Sequence, residues 1–185
     1  MIIFDLDGTL ADCDHRRHLV EKGHPINEKK RLGEISLNKS PPIDHNYRPW
    51  KPDWKSFYEA CDQDKPISYT LEILINCVLS GRKVEIWSGR CESVREKTML
   101  WIQKNLFSNY RLISRELMDD PELKLKMRPE GDCTPDNVLK EQWLDEVLSK
   151  GKKIDFVFDD RPKVIRMWRR RGIFVFNCNQ SGDEF

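Results

Sequence analysis

The chain has 185 residues, the size of one ordinary catalytic domain, and is long enough to bury a full core. Its 32 basic and 31 acidic side chains give a formal net charge of +1, so total charge gives no argument for a nucleic-acid or membrane partner. No apolar run approaches the roughly 18 residues that span a bilayer. The six cysteines contain no C-x-x-C pair, which favours a reduced, cytoplasmic protein.

The chain begins with a short apolar run that ends in Asp5-Leu-Asp7-Gly-Thr9. Its β-favouring residues predict a buried strand, and Gly8 predicts a sharp turn after it. Asp5 and Asp7 are two residues apart, so both can face the carboxyl end of the strand, where open α/β sheets place their ligands. Paired carboxylates there indicate phosphoryl transfer, although Asp-x-Asp-Gly alone also suits a simple turn or part of a calcium loop.

The pattern breaks between Asp12 and about Pro66, where six prolines interrupt any long helix. We predict a small inserted cap at about residues 15–66, between the core segments 1–14 and 67–185 of a single domain. From Arg16 to Lys55 the sequence has ten Lys or Arg against five Asp or Glu, a local excess of +5. Such a segment attracts anions.

Aromatic residues alternate with the cations of this predicted cap. Aromatic faces beside cations can stack a base and hold a phosphate. Trp54, Phe57 and Tyr58 are interpreted as the small core of the cap. Tyr47 and Trp50 lie between prolines and are interpreted as the exposed contacts.

Helix and strand patterns alternate from residue 67 to the end of the chain. Thr134 followed by Pro135 resembles an N-cap with proline at the first helical position. The mixed segment from Ser114 to Asp132 has no single period and is predicted to be a loop. The alternation predicts an α/β fold with a doubly wound, Rossmann-like parallel sheet and the chemistry at the strand ends. The predicted helices cover residues 67–80, about 94–106, 134–150 and about 162–171, and the predicted strands cover 2–4, 83–87, 154–158 and 173–176.

Further polar residues at predicted strand ends and helix starts suit a phosphoryl-transfer site. The reaction needs a nucleophile, a proton donor for the leaving oxygen, positive charge around the phosphoryl group and usually a divalent metal. Asp5 can attack phosphorus, and Asp7 can act as general acid and then as general base. Ser88 can donate a hydrogen bond to a phosphate oxygen, and Lys140 can neutralise the nucleophile and the transferring group.

Asp159 and Asp160 follow another apolar strand and add carboxylates to the same predicted edge. Hard oxygen ligands of this kind suit Mg²⁺, so the predicted metal ligands are Asp5, Asp7, Asp159 and Asp160. The competing interpretation is that one of the two adjacent aspartates caps the helix that begins near Pro162.

The order of these motifs resembles that of the haloacid dehalogenase superfamily of phosphohydrolases. Further residues make the chain similar to the phosphatase domain of polynucleotide kinase-phosphatases. No Gly-x-x-x-x-Gly-Lys-Ser/Thr loop occurs in the sequence, so we expect no kinase domain. The residues that carry the narrower resemblance are Ser88-Gly89-Arg90, Gly131-Asp132, Asp136, Val138-Leu139-Lys140, Asp159-Asp160-Arg161, Met167-Trp168-Arg169 and the tail Ser181-Gly182-Asp183-Glu184-Phe185.

This resemblance implies a Mg²⁺-dependent phosphomonoesterase that forms an aspartyl-phosphate at Asp5 and acts on the 3′-phosphate of a nucleic-acid end. It implies that Asp136 orients Lys140, although residues at this spacing also form surface ion pairs worth about 0.3–0.5 kcal/mol. The catalytic residues implied are Asp5, Asp7 and Lys140. The implied phosphate- and substrate-binding residues are Thr9, Arg16, Ser88, Gly89, Arg90 and Asp136.

Other functions stay open at this point. A mononucleotide phosphatase, a phosphotransferase and a non-catalytic nucleic-acid-binding module are all compatible with the fold, and no membrane or obligatory protein partner is evident. The arginines at 166, 169, 170 and 171 suit an exposed helix face better than a nucleic-acid contact. Irregular spacing argues against a zinc site at Cys13, His15, His18 and His24.

Overall fold

A computed structural model describes residues 1–27, 50–107, 124–180 and 182. Helical turns of other types cover Cys61–Gln63, Glu92–Val94 and Gln103–Phe107. The strands and α-helices, in chain order, are β1 (Ile2–Phe4), β2 (Ala11–Asp12), α1 (Asp14–Arg17), α2 (Trp54–Glu59), β3 (Lys65–Pro66), α3 (Ser68–Leu79), β4 (Val84–Cys91), α4 (Arg95–Ile102), β5 (Lys124–Arg128), α5 (Asp136–Ser149), β6 (Phe156–Asp159), α6 (Pro162–Arg170) and β7 (Val175–Asn177).

The main sheet has five parallel strands in the order β5-β4-β1-β6-β7. The first strand of the chain therefore lies in the middle, with Phe4 opposite Ile86 of β4 and Phe158 of β6. The chain runs from β1 outward through β4 to β5 and then crosses back to β6 and β7 on the other side of β1, so the strand order reverses at the centre of the sheet. Ligands of open α/β sheets bind at such a reversal, beyond the carboxyl ends of the strands. The predicted α/β class with a parallel sheet is confirmed.

Both faces of the sheet are buried, as a parallel sheet with continuous apolar strands requires. Ile2 and Phe4 face one core, where Leu74 and Trp101 cover them. Ile3 faces the other core, which α5 and α6 cover. There the Trp87 ring lies 5.7 Å from that of Trp143 and 5.8 Å from that of Trp168. Burying large side chains of this kind contributes roughly 1.5–3 kcal/mol each and holds β1 rigidly in place.

Two sequence expectations are wrong in the second half of the chain. The loop predicted from Ser114 to Asp132 contains β5, in which Leu125 and Met127 alternate with charged residues on an edge strand; residues 114–123 lie outside the described ranges. Helix α5 begins at Asp136, and Pro135 with φ −54° and ψ 140° is its N-cap. Thr134 is therefore not the cap, because Pro135 adopts an extended conformation ahead of the first helical residue.

A two-stranded antiparallel sheet joins the ends of the predicted insertion, with Ala11 opposite Pro66 and Asp12 opposite Lys65. The predicted cap boundaries at about 15 and 66 stay a prediction, and residues 28–49, with Tyr47, lie outside the described ranges. No helix in the described part of the chain is both long and apolar enough to cross a membrane.

Candidate active site

Asp5 follows β1 directly, at the carboxyl end of the central strand. Its backbone amide donates to the Phe158 carbonyl at 2.9 Å, which continues the β1–β6 pairing and fixes the direction of its side chain. Asp5 is buried, and its Oδ1 accepts a hydrogen bond from Lys140 Nζ at 2.7 Å. Burial raises the pKa of Asp5 to about 6, against the opposing effect of Lys140.

Lys140 bridges two carboxylates from different strands. It lies in the second turn of α5, is buried, and also donates to Asp159 Oδ2 at 2.8 Å. Burial by itself lowers the pKa of a lysine, but Asp159 and Asp5 outweigh it and hold the pKa of Lys140 above its usual value. Lys140 is therefore a fixed ammonium group between the ends of β1 and β6, as the motif order predicts.

Asp5, Asp159 and Asp160 each offer a carboxylate oxygen, and these atoms lie within 4.8 Å of one another. We call these three residues the carboxylate cluster. Burial, Asp5 and Asp159 raise the pKa of Asp160 well above its usual value. Asp160 closes over Gly8, which has φ +82° and where a Cβ atom would lie 2.0 Å from Asp160 Oδ2. Crowded, buried carboxylates with one cation among them are the environment in which a hard divalent cation is stabilising.

The Asp7 side chain points to two arginines and is not part of the carboxylate cluster. Its Oδ1 accepts from Arg16 Nη2 at 2.7 Å and from Arg90 Nε at 2.9 Å. Burial raises the pKa of Asp7, but Arg90 and Arg16 outweigh it and lower the pKa to about 2. In this state Asp7 is ionised, and the two predicted phosphate-binding arginines hold it. A metal-ligand role for the Asp7 side chain stays a prediction.

Asp64 is a site residue that the sequence analysis missed. It accepts from Arg16 Nε at 2.7 Å and Nη2 at 2.6 Å, and Arg90 Nη2 also donates to it. We call Asp7, Arg16, Asp64 and Arg90 the arginine network. His15 Nε2 lies within hydrogen-bond distance of Asp64 Oδ1, at 2.9 Å, and the Asp64 carbonyl accepts from Trp101 Nε1 at 2.7 Å. Asp64 stands 48 residues from Arg16, so no local sequence pattern marked it.

Ser88 and Gly89 form a tight segment near the end of β4. Ser88 is completely buried, and its Oγ accepts from the Arg90 backbone amide at 3.1 Å. The Gly89 carbonyl accepts from Arg128 Nε at 3.0 Å and from the Tyr58 hydroxyl at 3.3 Å. A phosphate-binding role for Ser88 and Gly89 stays a prediction.

No hydrogen bond or ion pair joins Asp136 to Lys140 in the described part of the chain, so the surface ion pair considered for the two is not formed, and the orienting role of Asp136 stays a prediction. Its carboxylate pairs with Arg128 and Arg161, and a Cβ atom at Gly89 would lie 2.8 Å from its Oδ1. Lys140 points inward to the sheet, while Asp136 lies in the first turn of α5 beside Gly89. The sequence analysis missed Arg128, although the alternation within β5 was a usable signal.

Three further predictions concern Thr9, the N-cap of α6 and Trp54. Thr9 is fully buried and its carbonyl accepts a hydrogen bond from the Thr70 hydroxyl, which anchors the turn after β1; its predicted binding role stays untested. The N-cap of α6 is Arg161, so neither Asp159 nor Asp160 caps that helix. Trp54 is 46% exposed, which contradicts its interpretation as a core residue.

Two further expectations concern the arginines near the end of α6 and the group of one cysteine and three histidines near the start of the chain. The side chains of Arg170 and Arg171 pair with Glu141, as an exposed helix face predicts. Among the described residues, the carboxylate cluster is the one group of three or more potential ligands with metal-ligand spacing, and it includes none of Cys13, His15, His18 and His24.

Comparison with solved structures defines the class of the fold. A structure described as a dehalogenase matches 98% of this chain and 85% of its own, with a TM-score of 0.50 and 14% identity. At that identity the match shows a shared fold alone. Together with the strand order, it shows that the protein has a haloacid dehalogenase-like α/β fold.

Two relatives are more similar in sequence, a chain of a solved complex and a viral protein whose name includes polynucleotide kinase and RNA ligase. The Pnkp1/Rnl/Hen1 complex contains a chain that is 26% identical, with a TM-score of 0.57, over 96% of this chain and 45% of that one. A protein of Autographa californica nuclear polyhedrosis virus, named "Putative bifunctional polynucleotide kinase/RNA ligase", is 30% identical over 141 residues, 72% of this chain and 18% of the viral one. This chain thus spans less than half the length of either relative.

The model of one family matches residues 53–183, most of the chain. That family is the phosphatase domain of the polynucleotide kinase PNKP. The chain belongs to this family, which confirms the resemblance inferred from the motifs. Of the tail that contributed to that resemblance, residues 181 and 183–185 lie outside the described ranges.

Proposed function

We propose that this protein is a Mg²⁺-dependent phosphomonoesterase that removes the 3′-phosphate from a nucleic-acid end. The observation that carries the proposal is the position of Asp5, at the carboxyl end of the central strand and 2.7 Å from a buried lysine. Membership of the phosphatase family and the names of the relatives support a phosphorylated nucleic-acid end as the substrate.

The carboxylate cluster fits a magnesium ion, because its three carboxylates are buried, converge, and carry more negative charge than Lys140 balances. Asp5, Asp159 and Asp160 would hold the ion. When bound, Mg²⁺ offsets the mutual repulsion of these carboxylates and withdraws charge from the phosphoryl group.

In the first step, a carboxylate oxygen of Asp5 attacks phosphorus. A new O–P bond forms, the bond from phosphorus to the 3′-oxygen breaks, and the leaving oxygen takes a proton from Asp7. Lys140 stays protonated throughout, because the pKa of its ammonium group is held above the usual value. Its fixed charge stabilises the negative charge that builds up on the phosphoryl oxygens.

Asp7 must be protonated to act as the acid, whereas the two arginines lower its pKa to about 2 in the ligand-free protein. A phosphate dianion near Arg16 and Arg90 competes for their positive charge. This competition raises the pKa of Asp7 when substrate is bound, so the arginine network couples phosphate binding to protonation of the acid.

In the second step, water attacks the aspartyl-phosphate and Asp7 accepts a proton from it. The bond between phosphorus and Asp5 breaks, inorganic phosphate is released, and the Asp5 carboxylate is restored. Asp7 is then protonated, as it was in the substrate complex, and it gives this proton to solvent when phosphate leaves the arginines.

The experiment that tests this function measures phosphate release from four substrates: a 3′-phosphorylated oligonucleotide, its 5′-phosphorylated counterpart, and the 3′- and 5′-mononucleotides. Each is assayed with Mg²⁺, with EDTA, and with the Asp5→Asn variant. We expect Mg²⁺-dependent release, highest for the 3′-phosphorylated oligonucleotide and absent in the variant. Preference for a mononucleotide indicates a nucleotidase instead, and no release from any substrate supports a non-catalytic binding module.

A further inference from the structure

Helix α2 lies beside the candidate active site, and contacts of two consecutive residues, Phe57 and Tyr58, fix its position. Phe57 is buried, and the Arg16 guanidinium lies over its ring, 4.0 Å from the ring centroid. Arg16 also donates to the Phe57 carbonyl at 3.0 Å. Tyr58 donates its hydroxyl to the Gly89 carbonyl at 3.3 Å. One helix therefore contacts both the arginine network and the segment that follows Ser88.

Trp54 lies one helical turn before Tyr58, on the same side of α2. The two rings stack, with centroids 5.9 Å apart and planes 28° from parallel. The Trp54 ring also meets the edge of Phe57, with centroids 5.7 Å apart. These contacts hold the indole in one orientation, yet 46% of Trp54 remains exposed. An exposed aromatic face that is held rigidly costs little entropy when a planar ligand stacks on it.

We propose that Trp54, supported by Tyr58, is a stacking platform for the base of the nucleotide that carries the 3′-phosphate; this inference rests on the proposed function. Tyr58 stacks on Trp54 and donates its hydroxyl to the Gly89 carbonyl, so one side chain connects the platform to the candidate phosphate site. Lys51 and Lys55 are exposed on either side of Trp54 in sequence and suit the phosphodiester backbone. Stacking tolerates any base, as repair of chain ends requires.

The test compares two 3′-phosphorylated oligonucleotides that differ at one point, the presence or absence of the terminal base. For each, kcat/KM for phosphate release is measured with the wild type, Trp54→Ala and Trp54→Phe. Tyr69→Ala is the matched control, because Tyr69 is an exposed aromatic residue on α3. In the wild type we expect the terminal base to raise kcat/KM about tenfold, within the range of base–aromatic stacking.

Trp54→Ala should remove most of this tenfold ratio by slowing the reaction of the base-bearing substrate. Trp54→Phe should restore it, since phenylalanine keeps an aromatic face, and Tyr69→Ala should match the wild type. A ratio that is the same in Trp54→Ala and the wild type would overturn the platform while leaving the 3′-phosphatase function intact. A wild type that releases phosphate from neither oligonucleotide but does hydrolyse p-nitrophenyl phosphate would overturn the proposed substrate, and the platform with it.

Discussion

Two buried groups of charges lie next to each other beyond β1, and they are balanced differently. The carboxylate cluster sets three acids against one cation, Lys140. The arginine network sets two acids against two cations, and its arginines are 1% and 0% exposed. All members of both groups are buried except Asp7, whose side chain is 20% exposed, so the balance of charge is the main difference between the groups.

The pKa values of the two aspartates in the Asp5-x-Asp7 motif show this difference. The pKa of Asp5 is raised to about 6, because burial outweighs its lysine partner, and the pKa of Asp7 is lowered to about 2, because two arginines outweigh burial. The unbalanced group is the one that an added cation stabilises. In the arginine network the charges cancel, so its ion pairs hold the four side chains in place in the absence of an anion.

The largest effect expected is that of Asp5→Asn. An amide is nearly the same shape as the carboxylate but cannot act as the nucleophile, so we expect turnover to fall by at least about 10⁴-fold. Phosphate release from the 3′-phosphorylated oligonucleotide measures it. Asp62→Asn, which changes an exposed aspartate near the arginine network, is the control and should keep full activity. Turnover by Asp5→Asn close to that of the control would remove Asp5 as the nucleophile.

Asp64→Asn should have the next largest effect, because it breaks the balance of the arginine network. Arg16 and Arg90 would then share one carboxylate, and loss of one partner from a buried ion pair costs about 3–5 kcal/mol of unfolding free energy. We expect kcat/KM to fall at least about tenfold, since the arginines lose the group that positions them. Urea denaturation and steady-state kinetics measure the two effects. A variant as stable as Asp62→Asn would show that Asp64 does not hold the network.

The opposite pKa shifts predict opposite pH effects on stability without Mg²⁺. The pKa of Asp5, raised to about 6, contributes stability below the unfolded value of 3.8 that is lost as pH rises through about 6, and the raised pKa of Asp160 acts in the same direction. A lowered pKa, as at Asp7, contributes stability above 3.8 that is lost as pH falls through about 2. The metal-free protein should therefore lose stability between about pH 4 and 6 through the carboxylate cluster.

Magnesium should reverse that loss, because it binds the ionised cluster. We expect Mg²⁺ to raise the melting temperature more at pH 7 than at pH 5. At pH 7, a Mg²⁺ concentration 100 times the dissociation constant should add about 2–3 kcal/mol to the free energy of unfolding. Thermal melts with Mg²⁺ and with EDTA from pH 5 to 8 measure this, and Asp160→Asn should flatten the dependence. A Mg²⁺ shift that is equal at pH 5 and pH 7 in the wild type would contradict the linkage.

The carboxylate cluster was predictable from the sequence and the arginine network was only partly so. Local signals marked the residues of the carboxylate cluster and Lys140: apolar runs precede Asp5, Asp159 and Asp160, and Lys140 lies near the start of a predicted helix. The carboxyl ends of parallel strands lie at one edge of the sheet, so these side chains were expected to meet there. Asp64 joins Arg16 and Arg90 across 48 and 26 residues, through an insertion with no repeating pattern. Its partners are set by how that insertion folds back on β1, which local periodicity does not encode.

The same contrast holds for the fold. Helices that end at a glycine, such as α3 before Gly81, were predicted closely because both their apolar face and their end are local signals. Strand β5 was missed because it is a charged edge strand of five residues, with its ladder partner β4 more than thirty residues away. The sheet stabilises a segment there that has little strand preference of its own.

The smallest effect expected is that of Gly89→Ala, which tests the contact between the segment after Ser88 and Asp136. Its new Cβ atom would lie 2.8 Å from Asp136 Oδ1, and Arg128 and Arg161 hold that carboxylate, so it has to shift by a few tenths of an ångström. We expect kcat/KM to fall about two- to fivefold with little change in stability, because the displacement alters one contact beside Ser88. Gly23→Ala is the control, since nothing lies within 4 Å of its new Cβ atom. If the two variants are equally active, Asp136 shifts without cost, and the contact with Gly89 does not position this segment. If Gly89→Ala alone is impaired and Asp136→Ala restores its activity, Asp136 and its two arginine partners help to position the candidate phosphate site.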